Sequence, residues 1–156
     1  MTGRVVAVCV SLNKGERKTP VASAELRPDH GIVGDAHAGD WHRQVSLLAR
    51  ESILKMQRLG LNVEAGDFAE NLTTEGINLL ALAIGDRLKV GDALLEITQI
   101  GKECHTRCAI YHQAGDCVMP KEGLFARVVE GGVVRPGVAI RLACPEQPVA
   151  RDSVRG

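Results

Sequence analysis

Arg87-Leu88-Lys89-Val90-Gly91-Asp92-Ala93-Leu94-Leu95-Glu96-Ile97-Thr98-Gln99 is the stretch on which the fold class turns. Two short apolar-rich runs flank Gly91-Asp92, a pair suited to a tight turn, so Arg87–Val90 and Ala93–Gln99 read as two arms of a β-hairpin. The alternation through Leu94–Thr98 is imperfect but β-like, as in a partly closed sheet. Working outward, Val5–Val10, Gln44–Leu48, Leu124–Val129 and Val138–Leu142 have the same character, and seventeen glycines supply turns between them. One amphipathic helix stands out. Val45, Leu48, Ala49, Ser52, Ile53, Met56 and Leu59 recur at helical spacing opposite Arg50, Glu51, Lys55 and Arg58, and Gly60 follows as a left-handed cap. A shorter helix is expected through Cys104–His112. Many short strands with few helices predict a mainly β fold of the α+β kind, a β-barrel decorated by helices.

The chain has 156 residues, enough for one ordinary domain. From Cys144 onward, with Pro145, Pro148 and Arg151-Asp152-Ser153, apolar periodicity is lost. Residues 1–143 are therefore expected to form the domain and 144–156 a flexible tail. Nineteen Lys and Arg balance nineteen Asp and Glu for a net charge of 0, and only four residues are aromatic: Trp41, Phe68, Tyr111 and Phe125. That combination argues against nucleic-acid binding, which needs a cationic track and stacking platforms. No apolar run approaches the ~20 residues that cross a bilayer. Met1–Val10 reads as an opening strand rather than a secretion signal. Five cysteines, three of them within residues 104–117, do not resemble a secreted disulfide scaffold, so a cytoplasmic location is expected.

Three constellations could carry chemistry. The densest runs from Gly101 to Cys117. In a helix, Cys104, Cys108 and His112 would share one face at four-residue intervals, a set of ligands suited to a transition metal. Equally, a thiolate beside Lys102, His105 and Arg107 has cations to lower its pKa and act as a nucleophile. Cys9 and Cys144 lie in strand-like runs and read as structural. The second constellation is Gly31–Arg43, where small residues allow close approach of a ligand and Asp35, His37, His42 and Arg43 offer polar groups; Arg43 could take an anion bidentately. The competing reading there is a loop whose Asp and His cap its turns. The third, Gly66–Gly76, offers Asn71, Thr73 and Thr74 as short hydrogen-bonding groups, against a capped turn with Thr73 or Thr74 as a helix N-cap. On residue chemistry alone the capped turn is preferred.

Taken together, Gly34-Asp35-x-His37, Gln44-Val45-Ser46-Leu47-Leu48, Glu70-Asn71-Leu72-Thr73-Thr74, Ile84-Gly85-Asp86-Arg87-Leu88 and Cys104 resemble, in that order, the MOSC domain family, named after the C-terminal part of molybdenum cofactor sulfurases. The resemblance spans about Val5 to Leu142 and is closest to the short, stand-alone bacterial type. It implies a strand-rich barrel like the β-barrel domain of pyruvate kinase. It also implies that Cys104 carries reactive sulfur or ligates molybdenum, with Asn71 and Thr73 near that cysteine and the loop of His37 and Arg43 facing it. Longer relatives often lead into the cysteine with Pro-Arg-x-Pro, where this chain has Ile100-Gly101-Lys102-Glu103. Cys108 and Cys117 are additional thiols that favour sulfur relay or a metal–sulfur site.

The leading expectation is thus a sulfur-handling domain of molybdenum cofactor metabolism with sulfurtransferase-like activity. Cys104 would be the reactive or metal-ligating thiolate and Cys108 its resolving partner, ~6 Å away across one helical turn. His37, Arg43, Asn71, Thr73 and Arg107 would hold the cofactor. No pyridoxal phosphate is expected on this chain, so sulfur would come from a donor protein or pass to a molybdoenzyme partner. The alternatives are a non-catalytic carrier of molybdopterin or molybdate under His37, Arg43 and Asn71, and a structural zinc protein using Cys104, Cys108, His112 and Cys117.

Overall fold

In the computed structural model, residues 2–14, 16–101 and 122–143 are described. The hairpin forms as read: β7 (Arg87–Val90) and β8 (Ala93–Ile100) pair antiparallel with Val90 opposite Ala93, and Gly91 takes φ +58° in the turn. The remaining barrel strands are β1 (Thr2–Val10), β5 (Val45–Ala49), β6 (Leu72–Glu75), β9 (Leu124–Glu130) and β11 (Ala139–Leu142). Around the barrel the order is β1-β11-β7-β8-β9-β5-β6, and β6 closes back onto β1. Closure leaves seven strands with neighbours on both sides, which removes the exposed edges of an open sheet. All neighbours are antiparallel except β5 and β6. Outside the ring, β2 (Thr19–Val21) adds to the far end of β1, while β3 (Ala24–Arg27), β4 (Gly31–Ile32) and β10 (Gly132–Val134) form a small sheet of their own.

Two-residue periodicity fills the barrel. Leu88 and Val90 of β7, Ala93, Leu95 and Ile97 of β8, and Leu124, Ala126 and Val128 of β9 join Val5, Val45, Leu47, Leu72 and Ile140 in one core. A second core lies outside the wall, where Leu48 and Phe125 meet Ile53, Met56, Val63 and Phe68. Burying a side chain such as Ile53 or Met56 fully is worth about 1.5–3 kcal/mol, which seats the helix α1 (Arg50–Arg58) against the barrel. Gly60, at φ +93°, closes it in a Schellman motif: Gly60 N–H donates to the Gln57 carbonyl (2.9 Å) and Leu61 N–H to that of Met56 (3.3 Å).

Two expectations need correction. The helical pattern read from Val45 begins only at Arg50, because Val45–Ala49 is a strand with both faces covered, Val45 and Leu47 by the barrel interior and Leu48 by the outer core. A strand buried on both sides shows a continuous apolar run whose residues also fit a helical period. Likewise Leu72–Glu75 is not a capped turn. It is the parallel partner of β5, so Thr73 and Thr74 are strand residues and cap no helix. The expected Cys104–His112 helix and the tail 144–156 lie outside the described residues.

Candidate functional site

Residues 31–43 run from β4 toward β5 and are tied down at several points. Gly34 adopts φ +88°, a turn conformation natural to glycine, and delivers Asp35 inward. Ala36 N–H donates to the Ser11 carbonyl (2.9 Å), Gly39 N–H to that of His30 (2.7 Å), and the Thr98 hydroxyl contacts the His42 carbonyl. The loop is therefore a formed wall beside β8.

At its inner end sits a pair that the sequence did not announce. Lys18 and Asp35 have side chains with 0% exposure, joined at 2.8 Å. The Lys18 ammonium also meets Ser11 Oγ at 3.0 Å and His37 Nδ1 at 3.1 Å. Asp35 accepts backbone N–H bonds from Ser11 and His37, both at 3.0 Å. Burial alone pushes the Asp35 carboxyl up. The Lys18 hydrogen bond, the His37 and Ser11 N–H groups and the Lys18 charge outweigh it and hold the carboxyl below its usual range. Lys18 is placed by Gly66, whose carbonyl accepts the Lys18 N–H (2.8 Å); a Cβ on Gly66 would lie 2.2 Å from the Lys18 carbonyl oxygen.

From Lys18 a row of groups leads outward. The His37 ring lies parallel to Trp41 (6.3 Å, 4°), and Trp41 Nε1 donates to the His37 carbonyl at 2.8 Å. Lys14 Nζ stands 4.5 Å from the Trp41 centroid, and the Arg43 guanidinium lies between Trp41 (5.9 Å) and Phe125 (5.3 Å). Such cation–π contacts order the cations without neutralising them. Arg43 Nε donates to Gln99 Oε1 (3.0 Å), which also meets His42 Nε2 (2.9 Å), and the Gln99 amide donates to the Gly101 carbonyl (2.7 Å). Among the described residues no carboxylate pairs with Arg43. Asp40 is the acidic neighbour in the loop, but Asp35, the buried acid, is already matched by Lys18. A chain of zero net charge thus concentrates Lys14, His37, His42 and Arg43 around one indole, a donor set that fits an anionic group.

The row ends where the Cys104 segment begins. Gly101 N–H donates to the Gly123 carbonyl at 2.6 Å, and Glu122 bonds Ser52 Oγ (2.5 Å) and contacts Lys55 on α1. Gly101 is therefore held beside Gln99, and Glu122 beside α1. Cys104, Arg107, Cys108, His112 and Cys117 themselves lie outside the described residues. A cleft of about 400 Å³ between α1 and Gly76–Leu80 borders the Glu122 anchor, but its charged pair, Lys55 with Glu122, is self-satisfied.

Asn71 and Thr73 belong to the barrel wall. Asn71 Oδ1 accepts from Ser46 N–H (3.0 Å) and Ser46 Oγ–H (3.2 Å), and its amide donates to the Cys9 carbonyl (3.0 Å), so it staples β1 to β5. The Thr73 hydroxyl donates to Glu70 Oε2 (2.7 Å), which also accepts the Gly66 N–H (2.9 Å). Glu70 is fully buried, its Oε1 has no partner, and burial pushes its carboxyl up against the lowering effect of those bonds. Nearby Cys9 is buried, and desolvation together with the Glu70 and Asp67 charges pushes its thiol up to about 12, the profile of an inert core cysteine. Among the described residues no cluster of three or more His, Cys, Asp or Glu could hold a metal ion, and no helix is long and apolar enough to cross a membrane.

The residues missed at the outset are Lys18, Ser11 and Gln99. Lys18 ends the polar run Asn13-Lys14-Gly15-Glu16-Arg17-Lys18, which reads as a solvated turn, and nothing local separates it from Lys14.

Comparison with known proteins agrees with this architecture. Residues 34–152 match the family profile described as MOSC domain. No curated protein matches the chain. Among solved structures, the YUAD protein from Bacillus subtilis superposes with a TM-score of 0.74 at 17% identity, covering 90% of this chain and 94% of that one. YiiM from Escherichia coli gives 0.68 at 23% identity, covering 94% and 71%. YiiM from Geobacillus stearothermophilus gives 0.66 at 24% identity, covering 94% and 77%. At these identities the likeness is one of fold.

Proposed function

The chain belongs to the MOSC domain family, and from that premise we propose that it handles sulfur in molybdenum cofactor metabolism, with Cys104 as the sulfur-carrying or molybdenum-ligating thiolate. The observation that supports this reading is the network in which Gln99 joins Arg43 and His42 to Gly101, with Gly101 N–H held by the Gly123 carbonyl. Cys104 follows Gly101 by three residues in the sequence. The charge pattern supports an anionic partner for the site: Arg43, His37 and His42 would hold the phosphate or oxo groups of a molybdopterin, with Arg107 on the cysteine's own segment. When bound, the cofactor would supply a metal centre that accepts a thiolate or sulfide ligand. Asn71 and Thr73 support the site by holding the wall behind it.

The sulfur step this chain would perform is an exchange. The Cys104 thiolate attacks the outer sulfur of a donor persulfide, the donor's S–S bond breaks, and the donor leaves as a thiolate, with no net oxidation. Attack of the Cys108 thiolate on the inner sulfur of the Cys104 persulfide would then expel hydrosulfide and leave a Cys104–Cys108 disulfide. The donor is a separate protein and the recipient a molybdoenzyme or its cofactor; the cytoplasm, where thiols stay reduced, is the compartment that suits this chemistry.

Elemental analysis of natively purified protein, with intact mass under non-reducing conditions, tests the reading. Molybdenum, or a reductant-labile adduct of about 32 Da for one added sulfur, absent from Cys104→Ser, is the expected result. Labelled-sulfur transfer that is unchanged in Cys104→Ser would overturn it. A second reading, a non-catalytic carrier of molybdopterin or molybdate, is favoured by the Arg43–Trp41–His37 row, which can hold an anion without the cysteine. It requires binding that survives Cys104→Ser with modest loss.

A further inference from the structure

Arg4, Arg17, Lys18, Arg50 and Lys55 each face a carboxylate. Among the described residues, Lys14 and Arg43 face none. Lys14 Nζ stands over the Trp41 ring, 4.5 Å from its centroid, and the Arg43 guanidinium reaches the same ring at 5.9 Å. Glu16, two residues from Lys14, is turned to the Asn13 N–H (3.2 Å), and Asp40, next to Trp41, pairs with neither cation among the described residues. Gln99 takes only the Nε proton of Arg43, so the donors on both terminal nitrogens of the guanidinium are unspent. The indole attracts each cation without cancelling its charge. Both charges lie within about 10 Å of each other, comparable with the screening length of ordinary salt, so they repel and project a joint positive potential.

We infer that Lys14 and Arg43 form a two-cation clamp on Trp41 that selects doubly charged oxyanions over singly charged ones, and that Lys14 sets this selectivity. A monoanion matches one cation and leaves the other facing its like; a dianion matches both and removes their repulsion. The two side chains divide the work. Arg43, fixed through Gln99 and set between Trp41 and Phe125, offers a planar fork to two oxygens. Lys14, exposed and with no hydrogen bond among the described residues, brings a point charge on a four-carbon stem that follows the ligand. The phosphate end of a monoester, which carries about −1.5 to −2 charges at pH 7, and a free tetrahedral metal oxyanion share this chemistry. The clamp deepens the anionic-site reading above and rests on it, but it needs no contact from His37 and no reaction at Cys104.

Sulfate and perchlorate test the clamp, because both are tetrahedral and they differ in charge. Trp41 is the only tryptophan of the chain, so its fluorescence reports on this ring, and equilibrium dialysis with labelled sulfate gives a second readout. At pH 7 and constant ionic strength, sulfate should bind the full chain saturably and at least ~10-fold more tightly than perchlorate, the margin of one charge-assisted hydrogen bond. Lys14→Gln should lower sulfate affinity by a similar ~10-fold and leave perchlorate nearly unchanged, and Lys14→Arg should restore the preference. Arg58→Gln, which removes an exposed cation on α1, should change neither. Equal affinities for the two anions, or sulfate binding that ignores Lys14→Gln or falls equally in Arg58→Gln, overturns the clamp while leaving the anionic site standing. Absence of any saturable anion binding overturns both, and sulfur transfer at Cys104 is decided separately by its own assay. Glycerol 2-phosphate and molybdate then separate the sources: tighter binding of the ester assigns the clamp to the phosphate end of a larger ligand, tighter binding of molybdate to a free oxyanion.

Discussion

Replacing Asp35 by asparagine keeps the size of the side chain and removes the charge that Lys18 faces. Both side chains are fully buried at 2.8 Å, so the variant leaves an ammonium in the interior without its counter-ion. Breaking a buried pair from one side costs about 3–5 kcal/mol. Asparagine also brings one acceptor oxygen where the carboxylate had two, against the donors Lys18 Nζ, Ser11 N–H and His37 N–H. At 2–4 °C per kcal/mol for a domain of this size, Tm should fall by roughly 6–20 °C at pH 7. The pH dependence gives an independent check. Because the folded state holds the Asp35 carboxyl below its ordinary value, its stabilisation is present above the unfolded value of about 3.9 and is lost as pH falls through the folded one. Calorimetry at pH 7 and through the acid limb should therefore show wild type and Asp35→Asn far apart at neutral pH and converging in acid. A Tm difference below about 3 °C at pH 7, or two parallel pH profiles, would refute the argument that the ion pair organises this end of the loop.

Glu70 has the opposite sign. Its carboxyl is pushed up by burial, so the folded state favours the proton, and stability declines as pH rises above the unfolded value of about 4.3. Glu70→Gln, which keeps an acceptor for Gly66 N–H and Thr73 Oγ–H, should leave Tm at pH 7 unchanged or raised and flatten that decline, while Glu70→Ala should lose about 2–3 kcal/mol in denaturant titration. Asn71→Ala strands the Ser46 N–H and the Cys9 carbonyl in the wall and should cost about 2–4 kcal/mol by the same assay. Cys9, with a thiol near 12, is roughly one part in 10⁵ thiolate at pH 7 and should escape alkylation in the native protein, reacting only on unfolding; peptide mass spectrometry reads this directly.

What sequence alone determined here is what depends on near neighbours. The Val90-Gly91-Asp92-Ala93 hairpin, the two-residue alternation of β7 and β8, and the Gly60 stop of α1 are set by turn chemistry and by which side chains fall on one face. Those rules act within a few residues. The order of motifs from Gly34-Asp35-x-His37 to Cys104 was equally legible and led to the family. Tertiary structure decided the rest. Val45–Ala49 fits both a helix and a strand until β6 and β9 cover its two edges and α1 its outer face. Leu72–Glu75 looks like a turn until a parallel partner 25 residues upstream claims it. Asn71, picked out as a ligand-holding group, has its carboxamide drawn into bonds to Ser46 and Cys9, residues far from it along the chain. Lys18 is the clearest case. In sequence it is the last charge of a polar turn, and it becomes a buried, ion-paired ammonium only because Asp35, 17 residues away, and Ser11 surround it in the folded chain. Desolvation and charge pairing are properties of the assembled surroundings, and no local pattern encodes them.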